Sequence, residues 1–378
     1  MDEIVINTST TGSQGEPAVT GFTKIQFAVA WNDNGNIKAQ IFTADGGRSG
    51  TPFTVNAPTA PDVSASLPAI AESNFGLVVA WIEHVRGGEA QVKLRTFDAD
   101  LLSPGPEIQV STTAVERLQR PTLARSNDGG FVLAWSDVRP DQRIRAQRFT
   151  PDGEKNGVEF RANTTAGLHR NPMVAGLREG NIVIGWRARI SDPLHIRFQL
   201  FNAQGAPVGG EQIHNVPVTT ASIAPLDSGG FVMAHVKSPD DLPDADPRST
   251  VQASLFRANG GFAGTSVAAT TADPIRSAWP MVAPLPGGRF LLAWTQLNLN
   301  ATPAVTNVMA RVFASGGAPS GQAVQINTTS GGERFSLSAA AIAEESENAF
   351  FAWGEQTESG GAILPRSVRG RAMPIPLA

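Results

Sequence analysis

The sequence predicts an all-β protein, a seven-bladed β-propeller of four-stranded antiparallel blades closed by its own N-terminal strand. Three observations carry that reading: an apolar motif repeated seven times, a turn-rich composition poor in charge, and a last unit lacking the strand with which the chain begins.

The repeat comes first, because self-similarity at a fixed period outweighs local propensity. The motif reads FAVAW (27–31), GLVVAW (76–81), FVLAW (131–135), NIVIGW (181–186), FVMAH (231–235), FLLAW (290–294) and AFFAW (349–353). Its landmarks, on which the blades are centred, are Trp31, Trp81, Trp135, Trp186, His235, Trp294 and Trp353, spaced 49 to 59 residues apart. Upstream lies a small apolar element, PAVT, PAIA, PTLA, PMVA, ASIA, PMVA or the looser SLSAAA. Downstream a second strand ends in a large apolar residue, as in IKAQIF, IRAQRF or VMARVF, and a turn leads to an Asn/Ser–Thr element such as VSTT, ANTT or INTT. Each unit therefore reads as strand A at the Pro, B at the landmark, C at the Phe and D at the Asn/Ser–Thr element. Gly, Asp and Asn clusters supply the turns. Seven such units predict a propeller.

The seventh unit stops after VRGRAM, whereas the chain opens with EIVINTST, a match to VQINTTS at 324–330. A strand at about residues 3–9 is therefore expected to complete blade 7 and protect both terminal sheet edges. Residues 1–378 read as one domain. Within FVLAW the strand alternation puts Phe131, Leu133 and Trp135 on one blade face, with Val132 and Ala134 on the other. Seven copies of its slot, six of them Trp, make Trp135 a packing residue between blades rather than a ligand platform.

Composition agrees. Hydrophobic residues make up 41% and charged residues 17%, against ~25% charged in average domains, while 38 Gly and 27 Pro suit a chain of many turns. The absence of Cys excludes disulfides, thiolate metal sites and Cys nucleophiles. No apolar run is long enough for a membrane-spanning helix. The N-terminus has neither the basic nor the apolar region of an export signal, so such a signal is expected to be absent, removed or C-terminal. The net charge of −4 and the lack of a Lys-rich stripe argue against nucleic acid as a partner. The charge is uneven, however. Residues 117–197 hold 13 Arg and one Lys against 8 acids, a balance of +6. Arginine stems covering apolar surface explain much of that usage; the alternative is an anion-facing sector.

The pattern FVLAW…IRAQRF…G…VNTT resembles the repeats of secreted bacterial β-propeller proteins, among them large cell-surface and adhesin-like proteins, over essentially the whole chain. The resemblance implies an extracellular or cell-surface location and the binding of glycans or partners. It is partial, because the glycine-rich calcium nonapeptides of the larger proteins are missing. The S-x-D-x-G-x-T-W box and the WD dipeptide of other propellers are missing too.

Loop lengths locate the expected binding surface. A–B turns are short and nearly constant, whereas B–C and D–A connections, which share one face of a propeller, vary widely. Function on a rigid scaffold concentrates in such loops. Trp279 is the one Trp outside the landmark set and suits stacking on a sugar ring; the alternative is a loop anchor. Arg117, Arg120, Arg170, Arg276 and Arg334 are expected in D–A loops of different blades, converging on a carboxylated or sulfated ligand; pairing with neighbouring carboxylates is the alternative. His169 beside Arg170 joins this ligand set. The acidic insertion SPDDLPDADPRST offers Asp240, Asp241, Asp244 and Asp246 as oxygen ligands for Ca²⁺, or is merely a solvated loop.

Catalysis has less support. The five histidines, His84, His169, His195, His214 and His235, read as belonging to different units and strand positions. There is no Tyr, and Glu83 with His84 is the nearest approach to an acid/base pair. The expectation is a non-catalytic extracellular module that recognises glycan or anionic polysaccharide. A structural or protein-docking propeller is the second reading and a polysaccharide-active lyase or hydrolase the third.

Overall fold

Short alternating segments bounded by Gly-rich turns fold as antiparallel strands that pair in chain order. The structure, a computed structural model, describes the chain except residues 1, 9–10, 24, 58–59, 102, 116–118, 138–142, 190–193, 238–249, 270–274, 299–304, 330, 343–347, 360–361, 364–365 and 376–378. Blade 3 shows the pattern: Thr122–Arg125, Phe131–Ser136, Ile144–Phe149 and Lys155–Arg161 pair as A, B, C and D. Seven four-stranded antiparallel blades make the protein a seven-bladed β-propeller, and the described residues contain no α-helix. In blades 4 and 5 one long extended segment, Pro207–Pro225, supplies both the last strand of the former and the first of the latter.

The residues group into two compact units, 1–34, 40–52 and 217–378 in one, 35–39 and 53–216 in the other. In the first, the N-terminal strand Ile4–Val5 pairs with Arg369 and Gly370 of Ser367–Pro374, so blade 7 is completed by the start of the chain as expected. In the second, the predicted alternation holds. Phe131, Leu133 and Trp135 pack with Val78, Ala80 and Ile82 of blade 2, while Val132 and Ala134 pack with Ile182, Ile184 and Trp186 of blade 4. All six landmark tryptophans are fully buried. Each would remove some 150–250 Å² from water, which accounts for their recurrence.

The Asn/Ser–Thr signature has its own physical cause. Its Asn or Ser oxygen accepts the N–H of an early residue of strand C in the same blade. These bonds join Asn56 to Ile37 (2.7 Å), Ser111 to Val92 (3.0 Å), Asn163 to Ile144 (2.9 Å), Asn327 to Val308 (2.7 Å) and Asn7 to Val368 (2.8 Å). A glutamate on the next D strand then accepts from the element that follows. Glu211 takes the Thr164 N–H (2.8 Å) and Thr165 hydroxyl (2.7 Å), and Glu3 takes the Thr328 N–H (2.8 Å) and Thr329 hydroxyl (2.8 Å). Burial opposes the charge of Glu211, but these bonds outweigh it and hold its pKa down to about 2.

Strand A carries a feature the sequence reading missed. It does not begin at the Pro but runs on upstream through a β-bulge, where one extra residue sits in the left-handed region. That residue is Glu16 (φ 59°), Leu67 (54°), Asn171 (52°), Trp279 (51°) or Ser336 (50°). Positive φ is costly for bulky side chains, yet its recurrence makes it a property of the blade. Several residues expected in D–A loops therefore belong to strand A, where alternation decides which of them face solvent.

Candidate functional site

Blade 4 gathers the protein's chemistry. Its strand A, Leu168–Gly176, pairs with strand B, Ile182–Arg189, so that Leu168 opposes Arg189, His169 opposes Ala188, and Arg170 opposes Arg187. Directly opposed residues share a face, and residues two apart on one strand do too. Arg170, Arg187 and Arg189 therefore stand on one side of the sheet, and His169 on the other.

On the arginine side lies a cleft of about 490 Å³, walled by these three side chains with Gln119, Asn171 and two leucines, Leu168 and Leu194. No carboxylate is among the described residues that line it. Like charges directly across a strand pair repel, so the opposition of Arg170 to Arg187 favours an anion beside them. Four other arginines of the basic sector are paired with carboxylates. Arg125 pairs with Glu72 (3.1 Å), Arg145 with Asp137 (2.9 Å) and Glu159 (2.8 Å), Arg148 with Asp128 (2.7 Å), and Arg197 with Glu211 (2.9 Å). Arg170 is exposed and makes no ion pair or hydrogen bond among the described residues. Arg170 thus brings positive charge to the surface at the cleft.

Polar contacts hold the cleft floor. The Gln119 side-chain oxygen accepts the Asn171 N–H and the Ser136 hydroxyl, both at 2.7 Å. The Asn171 oxygen accepts from Arg187 Nη1 at 3.4 Å. The bulge at Asn171 turns its N–H toward Gln119, and Gln119 and Ser136 are both buried.

The structure places the expected ligand residues unequally. Arg170 is in the cleft. His169, expected in a loop, is fully buried; its Nε2 lies 3.0 Å from the Thr165 carbonyl and its ring meets Trp186 edge-on. Burial, only partly opposed by the Glu211 carboxylate, lowers its pKa. It packs the blade and has no access to a ligand. Arg334, also expected in a loop, is 2% exposed, paired with Glu355 at 3.0 Å and bound to the Thr329 carbonyl at 2.8 Å, so pairing with a neighbouring carboxylate is what occurs. Arg120 is half-buried before strand A of blade 3, and the backbone of Arg276 pairs with Leu297 in strand A of blade 6. Trp279 occupies the bulge of blade 6 and is 44% exposed. Arg117 and the proposed calcium ligands Asp240, Asp241, Asp244 and Asp246 lie outside the described residues.

Two corrections follow. Three of the five histidines belong to one blade: His169 in strand A, His195 at the start of strand C (His195–Phe201), and His214 in the D segment of blade 4. Burial, with His195 nearby, lowers His214 to about 4. Glu83 is bound to Lys93 at 2.8 Å and His84 Nε2 to Ser66 at 2.7 Å, so each already has a structural partner. Arg187 and Arg189 were missed because they end a landmark strand. Their signal was the RAR at 187–189, where the other blades place Asn32, Ile82, Ser136, Val236, Thr295 and Gly354 after the landmark.

No protein-family model matches the sequence, and no curated protein matches it. Solved structures do match. An ulvan lyase aligns at TM-score 0.59 and 9% identity over 94% of each chain. An α-L-arabinofuranosidase of Fusarium graminearum aligns at 0.55 and 11% identity, over 99% of this chain and 98% of that one. A Dyadobacter fermentans protein of unknown function aligns at 0.55 and 12% identity, over 98% and 97%. At these identities the likeness establishes the propeller fold, and among the propellers that share it are carbohydrate-active enzymes.

Proposed function

We propose that the protein recognises an anionic carbohydrate, carboxylated or sulfated, in the arginine cleft of blade 4. The observation that carries the proposal is the cross-strand Arg170–Arg187 pair, extended by Arg189, in a cleft whose described lining has no acid. Guanidinium forks match carboxylate and sulfate oxygens two at a time. Leu168 and Leu194 offer apolar surface to the C–H face of a sugar. An extracellular or cell-surface location accords with this reading. The test is calorimetric titration with oligosaccharides of a uronic-acid polymer and of a sulfated galactan. Binding that weakens steeply with salt and is lost in an Arg170→Ala, Arg187→Ala double variant supports the site; heat signals unchanged in that variant would remove it.

A polysaccharide-active enzyme is the second reading, favoured by the lyase and the arabinofuranosidase among the structural neighbours. The same titrated samples decide it. A time-dependent gain of reducing ends or of unsaturated uronate marks turnover, and a stable polymer length marks a binding module.

A further inference from the structure

Strand A of blade 6, Ile275–Pro284, repeats the geometry of the cleft strand of blade 4 with different chemistry. In both, the register slips at a residue followed by Pro, Asn171 in blade 4 and Trp279 in blade 6. Ala278 opposes Thr295, and Leu297 follows two residues on along the same face. Counted from the bulge and the landmark, these three take the places of Arg170, Arg187 and Arg189, and Trp279 takes that of Asn171, a wall of the cleft. The Thr295 hydroxyl donates to the Ala278 carbonyl at 3.1 Å. Where blade 4 presents guanidinium groups, blade 6 thus presents a methyl group, a leucine and an indole.

The bulge belongs to the blade, but a Trp at its crest does not follow from it. Glu16 at the same position accepts from Asn32 Nδ2 at 3.3 Å, Leu67 packs on the core between blades 2 and 3, and the Asn171 N–H donates to Gln119. Trp279 is 44% exposed and makes no hydrogen bond or aromatic contact among the described residues. Its φ of 51° is costly for a bulky side chain. Strained residues that the fold does not use concentrate at ligand sites.

We infer that Trp279 is a stacking platform for a sugar ring, a second carbohydrate contact on blade 6 that takes the apolar C–H face of a pyranose. The inference rests on the carbohydrate reading above and extends it to a second blade. The indole face is flat and electron-rich, and the axial C–H bonds of a pyranose offer it a matching apolar surface. Ala278 and Leu297 add apolar surface on the same strand face. Contact of this kind involves no ion pair, so salt leaves it unchanged, whereas guanidinium contacts in blade 4 are screened.

The six landmark tryptophans are at most 1% exposed, so quenching of fluorescence by acrylamide reports on Trp279. The experiment titrates the intact protein with a neutral galactan tetrasaccharide at low and high salt, following acrylamide quenching and, by calorimetry, affinity. A uronic-acid tetrasaccharide is run beside it by calorimetry. The neutral sugar should shield Trp279 from acrylamide equally at both salt concentrations. Trp279→Gly, in which the left-handed backbone is unstrained, should weaken that sugar about tenfold, and Trp279→Phe by about threefold or less. Quenching that the neutral sugar leaves unchanged would overturn the platform, as would shielding of the ring with full affinity in Trp279→Gly. In either case, heat from the uronic-acid tetrasaccharide leaves the arginine cleft standing. If neither sugar binds, the carbohydrate reading fails and this inference with it. Should Trp279→Gly not fold, wild-type quenching and Trp279→Phe still decide the outcome.

Discussion

Blade 4 and blade 7 each carry an arginine near the start of strand A, and the two have opposite fates. Arg170 opposes Arg187 and faces solvent; Arg334 opposes Glu355 and is buried. Counted from the bulge, Arg170 is one residue upstream of Asn171, whereas Arg334 is two upstream of Ser336. Arg334 is therefore the counterpart of His169, and Arg170 the counterpart of Phe335, over whose ring Arg366 sits at 4.9 Å. A one-residue offset along a strand exchanges the faces of a sheet. The same residue type becomes a buried ion-pair partner in one blade and a wall of the cleft in the other.

The largest expected effect breaks the buried member. Arg334→Ala leaves Glu355 buried beside Arg369 and should destabilise the protein by about 3–5 kcal/mol in chemical denaturation. Copying blade 4's pair, Arg334→His with Glu355→Ala, should recover much of that loss because no lone charge remains. The cleft member should behave in the opposite way. Arg170→Ala with Arg187→Ala should change stability by no more than ~0.5 kcal/mol, while lowering affinity for a charged tetrasaccharide about 30-fold or more.

The third effect is a pH dependence. His214, lowered to about 4 by burial and by His195, stays neutral in the folded protein where the unfolded chain has taken up its proton. Its contribution is complete above the unfolded value of 6.5 and is lost as pH falls toward 4. By pH 5 the loss should reach about 2 kcal/mol. The other D strands place an aliphatic residue there, such as Val110 or Ile326, so His214→Val should flatten the stability profile between pH 7 and pH 5. An unchanged slope in that variant would assign the dependence to other groups. The smallest effect tests the bulge that both blades share. Trp279→Gly relieves a left-handed conformation at an exposed site and should leave stability unchanged or raise it by up to ~1 kcal/mol, read from the thermal midpoint.

Much of the fold was legible because it is periodic. Seven copies of one apolar alternation made Trp135 a packing residue, and the EIVINTST match placed the N-terminal strand in blade 7. The site was legible only in part. The excess of arginine in residues 117–197 pointed to the right sector, and Arg170 to the right blade. The Pro of blade 4 marks its bulge, but SLSAAA in blade 7 has no Pro, so the register of Arg334 could not be counted. Arg187 and Arg189 lay inside a strand pattern that read as scaffold, and His169, His195 and His214 are too far apart in sequence to read as one blade.

The sequence by itself determined the number of blades, the strand order within them, the closure of blade 7 and the buried tryptophan layer, since each rests on patterns repeated along the chain. Only the tertiary structure decided which arginines are paired with carboxylates, which meet across a strand pair, and that the Gln119 oxygen holds the bulge at Asn171. Those outcomes depend on register and on bulges, where a single residue reverses the face, and a one-residue difference leaves almost no trace in composition or spacing.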